Sequence, residues 1–302
     1  MTQRTSPAPA STVLAETGPV ARPGRWTVDE AVGRLRRAID HRDPTDHEAF
    51  DELVAWIRRD LDATADERDP DALYERVAAS GRGEPSFLSG RPALVALGYG
   101  DLCDGLEPWI VDRFLGLGCP WTVGLPHEGA TVVDLGSGSG VDLSIAARAV
   151  GPGGRAVGIE LRDSLLHPEL ATRRSAPVVR GESRRCPLAT GSASLIVANG
   201  LPTLMRLTTA ATVLDEVTRL LEPGGSVRFT VLVTGPAGPA DQLTDLEVIN
   251  AVRTGKPVCQ QYRQLMEAAG FVDISIELAP SPYAPGRRPG PVSAALVTGQ
   301  LA

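Results

Sequence analysis

The chain has 302 residues, 42% apolar and 22% charged, enough for one large or two small domains with a buried core. Its net charge of −7 argues against a general nucleic-acid or membrane-surface binder, because both surfaces are polyanionic. No apolar run reaches bilayer length, and the four cysteines (Cys103, Cys119, Cys186, Cys259) and four histidines are too scattered for a disulfide framework or metal centre. The expectation is a cytoplasmic protein with free thiols and no metal.

Residues 1–24 are rich in Pro, Ala, Ser and Thr, lack the apolar core of a signal peptide, and read as a disordered tail. Residues 25–120 read as a helical cap. Thr27-Val-Asp-Glu30 and Thr45-Asp-His-Glu48 are capping boxes that open two helices, and Asp69-Pro70 opens a third. The stretch 92–117 is broken by Gly98, Gly100 and Gly105 and predicts two short helices.

From residue 121 the pattern is that of a second domain. β-rich runs at 130–135, 155–160, 176–180, 194–199, 226–233, 272–278 and 294–298 alternate with helical segments near 141–150, 163–173, 209–222 and 259–269. Such alternation predicts an α/β, doubly wound, mostly parallel sheet covered on both faces. The last two strands have no helix between them and predict a closing hairpin.

Gly136, Gly138 and Gly140 lie between the first strand and the first helix, where a nucleotide loop sits in doubly wound folds. Glu160 ends the second strand, 20 residues beyond Gly140, where an acid accepts both hydroxyls of a ribose. Asp134, at the tip of the first strand, separates the candidate ligands. A pyrophosphate at the helix N-terminus would be repelled by its carboxylate, whereas a ligand with an ammonium and a sulfonium would be attracted. S-adenosyl-L-methionine is such a ligand.

Val132–Gly140, together with Glu160, Gly181-Glu182-Ser183 and Leu221-Glu-Pro-Gly-Gly225, resembles the class I S-adenosylmethionine-dependent methyltransferases over residues 125–300. The resemblance implies a Rossmann-like sheet of seven strands with the last antiparallel. It implies that Gly136, Ser137, Gly138 and Gly140 line the methionine portion and that Glu160 holds the ribose. Leu161 would pack on the adenine face, Glu182 would reach the adenine amino group, and Ser183 would lie beside the ring. The segment 117–160 is further similar to arsenite methyltransferases, through Gly118-Cys119, Asp142 and the Val-Gly-Pro-x-Gly before the second strand. Those enzymes hold arsenic with three thiolates. This chain has Asn199-Gly200 where the family has Asn-Cys, and no cysteine in Ile249–Arg253, so one thiol of three is matched.

Methyl transfer from a sulfonium needs alignment and a dry site more than acid–base groups. Asn199 is a candidate to orient an acceptor or the cofactor carboxylate, or is simply part of a tight turn. Tyr99 is a candidate to close over the cofactor, its aromatic face suiting a sulfonium, or else packs between cap and sheet. His127 and His167 read as exposed loop residues. The insertion at 234–258 and the cap would roof a site for a small molecule, which disfavours nucleic acid as substrate. The leading expectation is methylation of a small molecule, in specialised metabolism. The alternatives are a non-methylating use of S-adenosylmethionine, such as closure to an azetidine ring with release of methylthioadenosine, and a non-catalytic cofactor-binding protein.

Overall fold

The computed structural model describes residues 88–162, 165, 176–201, 207–234, 259–280, 282 and 292–302. The expected tail, the first three cap helices, His167 and nearly all of the 163–173 helix and of the 234–258 insertion lie outside the described residues.

The described chain opens with helix α1 (Gly90–Ala96), a 3-10 turn (Gly100–Cys103) and helix α2 (Pro108–Asp112), which starts with proline at a first-turn position. The expected pair of short helices is therefore present, with the 3-10 turn between them. Strand β1 (Thr131–Leu135) follows, then α3 (Val141–Val150), β2 (Arg155–Glu160), β3 (Val178–Arg180) and β4 (Ala193–Asn199). Helix α4 (Leu207–Leu220), β5 (Leu221–Thr234), α5 (Cys259–Ala268), β6 (Phe271–Ala279) and β7 (Val292–Leu301) complete it.

The seven strands form one sheet in the order β3-β2-β1-β4-β5-β7-β6. The first five are parallel, and β7 runs antiparallel to both β5 and β6. The chain therefore leaves β1 towards β2 on one side and returns to β4 on the other. Ligands of open α/β sheets bind at the carboxyl ends of the strands at such a reversal. Strand β5 begins earlier than the sequence suggests. Leu221 pairs once with Ala193, Glu222–Gly225 loop out with Gly224 in the left-handed region (φ 76°), and regular pairing resumes at Ser226.

Apolar residues on both strand faces explain the layering. Along β4, Ala193, Ile196 and Ala198 join one core with α4 and α5, while Leu195 and Val197 join another with α3. Buried parallel strands need side chains of this kind on both sides. Leu94, Leu97, Ile110 and Phe114 pack into the α3 core beside Val132 and Val197, so the described part of the cap shares a core with the sheet. No described helix is long and apolar enough to cross a membrane.

Candidate functional site

A cavity of about 390 Å³ opens at the carboxyl ends of β1, β2 and β4, a size usual for small-molecule sites. One wall is the loop between β1 and α3. Gly136, Gly138 and Gly140 all have positive φ (72°, 53° and 89°), which lets the backbone fold back sharply at the helix start. The amides of Gly136 and Ser137 donate to the carbonyl of Ile159 at 2.8 and 3.1 Å, which fastens the loop to β2.

Glu160 is 4% exposed, and backbone amides fix its carboxylate. Oε2 accepts from Gly138 N at 2.9 Å, and Oε1 accepts from Leu161 N and Arg162 N, each at 2.9 Å. A carboxylate has about four acceptor positions. Three are used, leaving room for about one further donor where the sequence suggested two. Leu161 beside it is 54% exposed, an apolar side chain standing open in the cavity wall. Glu182 and Ser183 form part of the wall as well, and the Glu182 carboxylate is paired with the Arg184 guanidinium.

Asp134 is 2% exposed and lines the cavity, and its Oδ2 has no hydrogen-bond partner. Burial, with Asp142 and Glu160 as neighbouring negative charges, pushes its pKa well above the usual carboxylate range. A buried carboxylate with an unpartnered oxygen is costly unless a cation or donor meets it.

Three sequence candidates are placed differently from expectation. Gly140 caps α3 and does not line the cavity; its carbonyl accepts from Ser144 N at 3.0 Å and Ser144 Oγ at 2.6 Å. Tyr99 does not close over the cavity. It is 1% exposed, packed edge-on against Phe114 at 5.2 Å, with its hydroxyl 2.9 Å from Asp142 Oδ1 and 3.1 Å from Gly118 O. Asn199 reaches the wall, but its amide is spent on the framework. Its Nδ2 lies 2.9 Å from Asp142 Oδ2, Gly118 O and the Tyr99 hydroxyl, while Oδ1 accepts from Leu117 N at 2.8 Å and from the Thr230 hydroxyl. These bonds hold residues 117–118, next to the wall segment Arg113–Gly116. Gly116 is needed there, because a Cβ would stand 2.7 Å from Asn199 Nδ2. His127 is exposed and outside the cavity, with Nδ1 2.9 Å from the Glu128 carbonyl.

Sequence reasoning gave Asp142 no site role. It is 5% exposed, lines the cavity, and takes a 2.7 Å hydrogen bond from the Trp121 indole besides those from Tyr99 and Asn199. Burial raises its pKa to about 6 against the pull of these three donors. The available signal was an acid one helical turn from Ile145 and Ala146, in an otherwise buried stripe of α3.

All four cysteines are buried and none lines the cavity. Cys103 and Cys119 belong to the core on the α3 face of the sheet, Cys186 and Cys259 to the core on the opposite face. Burial raises the thiols of Cys103 and Cys186 to about 11 and that of Cys119 to about 12, so they stay protonated at neutral pH. Among the described residues no cluster of histidines, cysteines or acids is suited to a metal ion.

A family model described as a methyltransferase domain matches residues 132–225, the stretch from β1 to the Glu222–Gly225 loop. That stretch is similar to a methyltransferase domain. The chain is also similar to arsenite methyltransferases. That of Halobacterium salinarum is 30% identical over 173 residues, 55% of this chain and 43% of the relative. That of Aquipseudomonas alcaligenes is 29% identical over 185 residues, 57% and 52% of the two chains. The chain thus spans about half the length of these curated relatives. Among solved structures, an arsenic(III) S-adenosylmethionine methyltransferase from Chlamydomonas reinhardtii is 24% identical, with a TM-score of 0.50 over 70% of this chain and 73% of that one, and so shares the fold.

Proposed function

We propose that the chain transfers the methyl group of S-adenosylmethionine to a small organic molecule. The observation that carries this reading is Asp134, a buried carboxylate with an unpartnered oxygen in the cavity wall beside the glycine loop. Such a group suits a cationic ligand and repels a pyrophosphate. The bound cofactor would supply a methyl group already activated on a sulfonium.

The chain's own residues supply position and dryness. Asp134 draws the cationic methionine end, where Gly136 and Gly138 leave bare backbone on either side of Ser137. Glu160, held by three amides, offers its remaining acceptor position to a ribose hydroxyl. Leu161 covers an adenine face, burying apolar surface it otherwise exposes to water. Glu182 trades its Arg184 pair for the adenine amino group, with Ser183 alongside. Among the described residues the titratable groups that line the cavity are carboxylates and arginines, and the sulfonium donor is already activated, so the reading asks these residues for position before acid–base work. Asn199 acts as a positioning residue for the Arg113–Gly116 wall.

Arsenite, named for the curated relatives, does not fit this chain. Three thiolates would have to converge, yet the four thiols are divided two and two between opposite sides of the sheet.

The test is calorimetry of the full chain with S-adenosylhomocysteine and with NAD, followed by incubation with S-adenosylmethionine alone and with a panel of small acceptors. Adenosyl binding, with S-adenosylhomocysteine formed only when an acceptor is present, is the expected result. Methylthioadenosine from S-adenosylmethionine alone would replace methyl transfer by ring closure. Binding without any turnover would leave a cofactor-binding protein, and binding of NAD alone would end the proposal.

A further inference from the structure

A second buried carboxylate stands in the same wall, and the reading above gives it no task. Asp142, second residue of α3, is held by three neutral donors from three places: the Tyr99 hydroxyl, the Trp121 indole and the Asn199 amide. Neutral donors fix a carboxylate's position without cancelling its charge. No cation pairs with it among the described residues. Asp134 faces it from β1, with Glu160 of β2 beside Asp134. Tyr99 and the thiols of Cys103 and Cys119 face it from the cap. Arg148, on its own helix, is turned to the carbonyls of Leu102 and Asp104. Arg228 of β5 stands over the Trp121 ring, 5.7 Å from its centroid. The unpartnered Oδ2 of Asp134, in the same cavity, points independently to a missing cation.

We propose that Asp142 is a second cation-receiving carboxylate of the cofactor cavity, and that Tyr99 and Trp121 are positioning residues that act on the cofactor by fixing it. This rests on the S-adenosylmethionine reading. It gives the residues before β1 a part in cofactor binding although neither aromatic side chain lines the cavity. The hydroxyl of Tyr99 also lowers the pH at which Asp142 gains a proton, so removing it moves that titration upward.

The experiment is calorimetry with S-adenosylmethionine between pH 5.5 and 8 on the full chain, its Tyr99→Phe form and its Asp142→Asn form. Wild-type affinity is expected to fall below about pH 6 as Asp142 protonates. Tyr99→Phe keeps the ring against Phe114 and should still fold, with a lower Tm because a buried hydroxyl bonded to a carboxylate is lost; its acid limb moves to higher pH and binding at pH 6 weakens about three- to tenfold. Asp142→Asn weakens binding about tenfold at pH 7.5. Both variants within twofold of wild type, with the acid limb unmoved, would overturn the proposal while leaving the cofactor reading intact. Should Asp142→Asn fail to fold, the position of the limb in Tyr99→Phe decides alone. No binding by the wild type at any pH would sink the cofactor reading itself, and this inference with it.

Discussion

Gly158 sits in β2 opposite Asp134, and the glycine loop presses against its bare Cα. An alanine Cβ there would stand 2.7 Å from Ser137 Oγ and 2.9 Å from Ser137 Cβ and Leu143 Cδ2, closer than real Cβ contacts allow. Either α3 or the loop must move. Overpacking of this kind costs about 1–3 kcal/mol. In a chain of this size each kcal/mol lowers Tm by about 2–4 °C, so Gly158→Ala should melt roughly 2–12 °C below wild type. Because Ser137 N is bonded to Ile159 O, a shifted loop also loses part of that bond. S-adenosylhomocysteine should then bind about three- to tenfold more weakly, the worth of one hydrogen bond. The control is Gly153→Ala, where a Cβ meets nothing within 4 Å and stability should stay within about 0.5 kcal/mol. Thermal melts and calorimetry on the three proteins read both effects. If Gly158→Ala melts and binds like Gly153→Ala, the close packing of loop on strand is refuted.

Asp134→Asn should separate stability from binding: at a pH where the acid is ionised, removing this buried charge raises the ligand-free Tm, while affinity for S-adenosylmethionine falls about tenfold. Unchanged affinity in calorimetry would defeat the role given to Asp134. A pH effect follows from Asp142, whose pKa rises on folding from the ordinary 3.8 to about 6. The native chain binds more protons between these values. This group's contribution to stability is therefore fully present below about pH 3.8 and is lost as pH rises through about 6. Urea midpoints from pH 4 to 7 should show Asp142→Asn gaining on the wild type as pH rises, and a constant gap would contradict the buried charge.

Strands β1, β2 and β4 were legible because their apolar runs and flanking turns are local properties, and so was the glycine loop with Asp134 and Glu160. The β6–β7 hairpin followed from the missing helix. The register of β5 was not legible, since pairing Leu221 with Ala193 depends on a distant strand. The framework around Asp142 was hidden for a similar reason. Its partners lie 21, 43 and 57 positions away along the chain, and no periodicity within a helix reports them. Tyr99 was read as closing over the cofactor or packing between cap and sheet, and Asn199 as orienting an acceptor; their polar atoms meet each other and Asp142, contacts that no local pattern reports.

The recognisable stretch and the foldable one differ in length. A fragment trimmed to residues 132–225 keeps Asp142 and Asn199 but discards Tyr99, Leu117, Trp121 and Thr230, stranding two polar side chains in the interior. It also removes most of β5 and all of β7, which pairs with β5 from Ser226 to Thr234. Anyone grafting this module onto another enzyme must carry along the forty-odd residues ahead of β1 and the tail of the sheet, or inherit a truncated scaffold that has lost its keystone.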